Sequence, residues 1–315
     1  MAITPGAATI TQTDSRGANT RVYKFDPRSL PNEGIFIFLG RTGSGKTILM
    51  EDILGYKANY FKRAIVMTGS AAAAVRFGQH IPPIFVHDGD DAFDEKLLVQ
   101  IVDTQDLAVK KCQCPRCRDE PGYDKKWLRR CLCKPIVIVL DDLGYLAKSI
   151  QKCTVIKRIF QNGRHFRIML LLSVQYCKSF PPELRQQVSF VFACFEKNPE
   201  NRRRVFEAFN TVFDRVKDFD IVMRQCTQNR EVMVMSNVFS QSFSISDNVF
   251  WYKAPYPPLP WRLNEGGSAW RFHEMRYDPQ YYVRQQRDRD ASKLSQAKPG
   301  TLVVTKAASH RRMRK

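Results

Sequence analysis

Eight consecutive residues, Gly40-Arg41-Thr42-Gly43-Ser44-Gly45-Lys46-Thr47, carry the G-x-x-x-x-G-K-[ST] spacing of a phosphate-binding loop. The residue types explain the chemistry. Glycines let successive backbone N–H groups turn inward around phosphate oxygens, and the helix that follows aims its positive end at them. In this reading Lys46 neutralises the β and γ phosphates of a nucleoside triphosphate, and the Thr47 hydroxyl ligates Mg2+. The apolar stretch 35–39 runs straight into the loop and a helical stretch begins near Ile48, so the flanks agree with the motif.

A second constellation follows, where Lys134-Pro135-Ile136-Val137-Ile138-Val139-Leu140 ends in Asp141-Asp142, with 94 residues separating Lys46 from Leu140. Parallel strands present ligands at their C-terminal ends. Asp141 is therefore expected in the Mg2+ shell, and Asp142 as the group that accepts a proton from, or orients, the water attacking the γ phosphate. A further apolar run, 168–174, ends in Gln175, a polar residue placed to sense the γ phosphate beside the metal-binding strand. No L-S-G-G-Q stretch of transporter ATPases and no D-E-A-D box of RNA helicases is present.

Five of the nine cysteines fall within 22 residues, as Cys112-x-Cys114-x2-Cys117 and then Cys131-x-Cys133. Four thiolates at such spacing suit one tetrahedral zinc, with Cys114, Cys117, Cys131 and Cys133 as the expected set and Cys112 as a substitute. Free or disulfide-bonded thiols are the alternative. Residues 110–134 also hold nine Lys or Arg against three acids, so this insertion either touches DNA or an acidic partner, or only staples a long excursion. Cys153, Cys177, Cys194 and Cys226 lie in apolar or helical settings and read as core.

The elements that must position these groups are short, nearly continuous apolar runs at 34–39, 63–68, 84–87, 136–140, 168–174 and 188–195. Such runs suit strands covered on both faces, and their alternation with helices implies a wound α/β sheet. Asn198 with Pro199 starts a helix that is expected to run through Val205, Phe206, Phe209, Val212, Phe213 and Val216. Segments 221–224 and 231–235 read as an antiparallel pair closing the sheet edge. Residues 1–20 read as a flexible leader, 21–250 as the nucleotide-binding domain with a Cys-rich insertion at 108–134, and 251–315 as a Pro-rich and aromatic, then basic, extension.

Fifty Lys and Arg against 31 Asp and Glu leave the chain of 315 residues at +19. From Arg284 to Lys315 there are ten Lys or Arg against two Asp, a segment that adheres to polyanions without choosing among them, or serves as a solubility tail. The longest apolar runs fall far short of the ~18 residues of a transmembrane helix. The first residues lack the basic-then-apolar pattern of a secretion signal, which places the cysteines in a reducing compartment.

The phosphate loop, the paired acids, Asn162-Gly163-Arg164-His165-Phe166-Arg167, the strand ending in Gln175 and Phe180-Pro181-Pro182-Glu183-Leu184-Arg185, in that order, resemble the virion DNA-packaging ATPases of large DNA viruses, in the FtsK and HerA class of ring-shaped DNA pumps. The resemblance covers about residues 30–245. It implies an additional-strand, RecA-like P-loop NTPase fold with a mostly parallel sheet, ATP and Mg2+ as cofactors, and a homo-oligomeric ring. It also implies double-stranded DNA and capsid or portal-like proteins as partners, and work in the host cytoplasm, in a viral factory, or in the nucleus, beside the assembling virion. Lys46, Thr47, Asp141, Asp142 and Gln175 fall on matching positions. Arg164 is the first and Arg185 the second candidate for an arginine finger reaching a neighbour's nucleotide. Asp142 departs from the Glu that many members of the wider class carry there. The competing reading is a nucleotide-dependent DNA-binding or scaffold protein that switches without pumping.

Overall fold

The computed structural model describes residues 10–13, 19–89, 92–112, 133–143, 153–177, 181–238, 242–264, 267–278, 280 and 291. The chain divides into a unit spanning residues 1–270 and a second spanning 271–315. All ten described strands belong to the first unit. They are β1 Ile10–Thr13, β2 Asn19–Lys24, β3 Gly34–Leu39, β4 Arg63–Thr68, β5 Val86–Asp88, β6 Ile136–Asp141, β7 Ile168–Val174, β8 Phe190–Ala193, β9 Val232–Ser236 and β10 Val249–Tyr252. They form one sheet in the order β1-β2-β10-β9-β8-β3-β7-β6-β4-β5.

From β8 to β5 every pairing is parallel, and β9 runs antiparallel to both of its neighbours. Strand β7 stands between β3, which feeds the phosphate loop, and β6, which ends in the acids. This is the additional-strand P-loop arrangement, and it brings Leu39, Asp141 and Val174 to one edge of the sheet. Helices cover both faces: α1 Lys46–Lys57, α2 Ala71–His80, α3 Glu95–Lys110, α4 Thr154–Asn162, α5 Pro182–Arg185, α6 Pro199–Phe209, α7 Val216–Cys226 and α8 Ile245–Asn248.

Alternation along the strands divides the core. On β3, Ile35, Ile37 and Leu39 face the layer that includes Val155, Ile159, Phe209 and Phe219, whereas Phe36 and Phe38 face the layer of Leu49, Ile53 and Phe77. Phe36 stacks on Phe190 at 5.5 Å and Phe38 on Phe192 at 4.8 Å between ring centres. Strands sandwiched in this way are apolar at almost every position, which is why the central runs were legible as strands, whereas the run 84–87 only overlaps the short edge strand β5 after a 3-10 turn at Pro83–Phe85.

Four expectations need correction. Residues 221–224 are not a strand but part of α7, where Phe219, Val222, Met223 and Cys226 recur at helical spacing and are buried; the β-branched pair Ile221-Val222 conceals that period. The helix expected through Val216 ends at Phe209, because the Asn210 carbonyl oxygen Oδ1 accepts the amides of Val212 and Phe213 and turns the chain. Within the leader, Ile10–Thr13 pairs antiparallel with Asn19–Val22. Past residue 250 the chain stays packed: Leu263 is fully buried, its amide donates to the His80 carbonyl, and the Trp261 ring stacks on His80 at 4.5 Å.

The four cysteines read as core, Cys153, Cys177, Cys194 and Cys226, are buried. Of the proposed zinc set, Cys114, Cys117 and Cys131 lie outside the described residues, while Cys133 is buried and Cys112 partly so. The basic segment from Arg284 lies almost wholly outside them as well. Helix α9, Ser268–Arg276, begins in the last residues of the first unit and finishes in the second with the Tyr277 amide donating to the His273 carbonyl. Among the described residues no helix is long and apolar enough to cross a membrane.

Candidate functional site

Between β3 and α1 the loop turns twice through left-handed backbone, at Gly43 with φ 78° and Gly45 with φ 92°, conformations that strain any residue with a Cβ. At Gly40 the constraint is space, since a Cβ there would lie 2.6 Å from Ser44 Oγ and 2.8 Å from Cys194 Cβ. Gly45 caps α1 without any side-chain hydrogen bond, which leaves the first amides of the helix directed at the loop. Lys46 is buried, and its ammonium donates to the carbonyls of Gly40 at 2.7 Å and Arg41 at 2.9 Å. The loop is thus wound around a fixed positive charge.

The acids arrive from β6. Asp141 is buried and accepts the Thr47 hydroxyl at 2.8 Å. Burial pushes its carboxyl above the usual carboxylate range, against the hydrogen bonds from Thr47 and Ser173 and the nearby Lys46 charge, which pull it down. The next residue, Asp142, adopts φ 51°, in the left-handed region, directly after β6 ends. Gln175, one residue beyond β7, donates from Nε2 both to Asp142 Oδ1 at 3.2 Å and to Thr42 Oγ1 at 3.1 Å. A single amide therefore ties the phosphate loop to the second acid.

These contacts gather Lys46, Thr47, Asp141, Asp142 and Gln175 at one end of three neighbouring strands. The Thr47 hydroxyl and Asp141 carboxylate are hard oxygen donors side by side. Mg2+ takes one or two carboxylates together with phosphate oxygens and water, so the pair fits that ion. A family model described as Poxvirus A32 protein matches residues 22–247, a span that contains all five of these residues. The chain belongs to that family.

Among curated relatives of this A32-family member, uncharacterized protein 015R of Frog virus 3 is 29% identical over 236 residues, covering 75% of this chain and 66% of that protein. The chain thus spans just under two thirds of that relative. Among solved structures, the genome packaging NTPase B204 from Sulfolobus turreted icosahedral virus 2 in complex with ATP-gammaS aligns at 14% identity with a TM-score of 0.44, over 71% of this chain and 98% of that one. The pCW3 conjugation coupling protein TcpA, in a monomer form with ATPgS, aligns at 15% identity with a TM-score of 0.48, over 90% and 72%.

The two finger candidates stand elsewhere in this A32-family chain. Arg164 is exposed before β7 begins, and its Nη2 donates to Ser189 Oγ at 3.1 Å, at the edge of the sheet where the parallel strands start. The seven residues of β7 separate that edge from Gln175, roughly 20 Å at 3.3 Å per residue. Arg185 closes the short helix α5 and is half-buried. Its charge is felt at Cys177, whose thiol burial nevertheless pushes up to about 12.

Some neighbours of the loop escaped the sequence reading. Arg41 pairs with Glu196 at 3.6 Å, and Glu196 also accepts from the Asn201 side chain and the Asn198 amide, linking the loop to the start of α6. Behind Gly40 a cavity of about 240 Å³ is lined in part by Tyr176, Cys194, Asn201 and Met223. Ser173 is the other omission. One polar side chain in the otherwise apolar run Ile168–Val174 was the available signal. Among the described residues no group of three or more His, Cys, Asp or Glu is placed to hold a metal.

Proposed function

We propose that this chain is an ATP-hydrolysing motor that drives double-stranded viral DNA into a capsid during virion assembly, working as a homo-oligomeric ring. The observation that carries the reading is the joint hold on one edge: Thr47 bonded to Asp141, and Gln175 bonded to both Thr42 and Asp142. A loop that only bound phosphate needs neither the second acid nor an amide that reports on it. The order of motifs shared with virion DNA-packaging ATPases and the charge of +19 support DNA as the object moved.

In this mechanism the loop amides and Lys46 hold the β and γ phosphates. Mg2+, when bound by Thr47 and Asp141, supplies charge neutralisation on the same oxygens. Asp142 takes a proton from the attacking water and Gln175 fixes the direction of that carboxylate. Loss of the γ phosphate alters what Gln175 bridges, which supplies a route from chemistry to movement. Arg164, far from its own loop, is the first candidate to complete a neighbour's site, and Arg185 the second.

Hydrolysis stimulated by double-stranded DNA is the deciding measurement. Asp142→Asn is expected to keep ATP binding and lower hydrolysis by about 10²–10⁴-fold, the usual worth of a positioned base; wild-type rates in that variant refute its role. Hydrolysis indifferent to DNA favours a switch or scaffold. Mixing Arg164→Ala with Lys46→Ala subunits restores part of the activity if the arginine acts across an interface. The insertion is proposed to hold one zinc on Cys114, Cys117, Cys131 and Cys133, with Cys112 as a substitute, and metal analysis of freshly reduced protein tests it.

A further inference from the structure

Strand β7 reads Ile-Met-Leu-Leu-Leu-Ser-Val, and the serine lies in the centre of the sheet, where an unbonded hydroxyl is costly. Leu172 pairs with Leu140, so Ser173 and Asp141 are the next residues on adjacent parallel strands. The core alternation puts Leu171 and Val139 toward α1, and the same face two residues later belongs to Ser173 and Asp141. Ser173 Oγ accepts the Asp142 amide at 2.9 Å. Its own proton goes to the Asp141 carboxylate. A hydroxyl offers one donor and two acceptor positions, and here one of each is used on consecutive acids.

We infer that Ser173 is a positioning residue for hydrolysis: it holds the left-handed turn at Asp142 and the carboxylate of Asp141 in one geometry, so that the second acid meets Gln175 while the first meets Thr47. The left-handed turn makes the assignment specific. The last β6–β7 ladder pair is Leu140 with Leu172, Asp142 then leaves extended backbone at φ 51°, and its amide is bonded to a side chain rather than to a strand carbonyl. That side chain is Ser173, and the same oxygen orients the neighbouring acid. Without it, Asp142 relaxes toward extended backbone and its carboxylate leaves Gln175. Phosphate binding rests on Lys46 and the loop amides, which Ser173 does not touch.

The inference rests on the ATPase reading, and the experiment separates the two. Full-length Ser173→Ala, Ser173→Thr, Asp142→Ala and the Ser173→Ala/Asp142→Ala pair are assayed over ATP and Mg2+ titrations, with a nonhydrolysable analogue for binding. Ser173→Ala is expected to lower kcat roughly ten- to a hundredfold, the cost of a misplaced reacting group, while KM and analogue binding stay within about twofold. Ser173→Thr, which keeps the hydroxyl, is expected to recover most of kcat. Against Asp142→Ala, the serine change should cost clearly less than it does in the wild-type background, because the part of its effect that runs through Asp142 is already lost and only its hold on Asp141 remains. Wild-type kcat in Ser173→Ala, or an equal loss in both backgrounds, overturns the inference and leaves the ATPase reading standing. A wild-type chain that hydrolyses no ATP, with or without DNA, overturns the ATPase reading and this inference with it. Should Ser173→Ala unfold, Ser173→Cys keeps the size with a weaker donor and carries the same expectations.

Discussion

At its N-terminal end helix α1 presents Lys46 and Thr47 to the loop and to Asp141, and further along it buries Glu51, Asp52 and Lys57. The twelve residues span only about 18 Å, yet the two groups of polar side chains have different partners. In the body of the helix each charge is matched once. Glu51 forms a two-pronged pair with Arg76, Asp52 accepts the Tyr252 hydroxyl, and Lys57 donates to the carbonyls of Arg28 and Leu30. At the N-terminus Lys46 donates to the loop carbonyls of Gly40 and Arg41, and Thr47 to the Asp141 carboxylate at the end of β6. In the reading proposed above, the Lys46 end of the helix binds phosphate, whereas the charges in its body hold neighbouring segments together.

Substitutions at the two ends should therefore fail in different assays. The largest effect belongs to Lys46→Ala, expected to remove ATP hydrolysis by more than about a thousandfold through loss of phosphate binding, with the unfolding midpoint little changed. Denaturation that collapses together with activity would erase the distinction between the ends. Next comes Arg76→Ala. It leaves Glu51, with no exposure, as an uncompensated buried carboxylate, and should cost about 3–5 kcal/mol in denaturant unfolding while the folded fraction keeps its KM for ATP.

The reverse deletion, Glu51→Ala, should cost less, about 2–3 kcal/mol, because the Arg76 side chain is 34% exposed and can turn to water. Equal losses would mean that packing rather than charge dominates that pair. The smallest effect is expected at Asp52, whose carboxyl burial pushes upward, against the pull of the Tyr252 hydrogen bond. A raised folded-state pKa means that the folded chain binds this proton more tightly than the unfolded chain, so the site loses stability as pH rises through the interval between the two values. Asp52→Asn keeps an acceptor for Tyr252 without the charge. It should stabilise by about 1 kcal/mol at neutral pH, and the advantage over wild type should vanish below the unfolded carboxylate value. A gain independent of pH would assign the effect to something other than this ionisation.

What could be read from the chain alone followed from local physical constraints. The loop at 40–47 was legible because left-handed turns and close approach admit little but glycine, at Gly43, Gly45 and Gly40. The central strands were legible because a sheet covered on both faces leaves few polar positions. Asp141, Asp142 and Gln175 followed as the polar residues that end such strands. Helix α7 was misread because a short apolar run with β-branched residues fits either period, and only packing against the sheet selects one. The packing of Trp261 on His80 was not legible because it joins residues far apart in sequence, whereas the pairing of Ile10–Thr13 with Asn19–Val22 is local and the composition gave no strand period for it.

The lateral order of the strands was decided only by tertiary structure. Nothing local to Ile168–Val174 says that it inserts between β3 and β6, and that insertion alone puts Gln175 between Thr42 and Asp142 and Ser173 against both acids. The same holds for Arg164. Its sequence neighbourhood resembled that of a finger, but the parallel direction of β7 carries it to the opposite edge from its own loop. Residue types and spacing singled out the groups proposed to do the chemistry, because glycine turns and strand-end acids are local requirements. Which of them meet was decided by long-range pairing of strands, a property of the folded sheet that no window of the sequence contains.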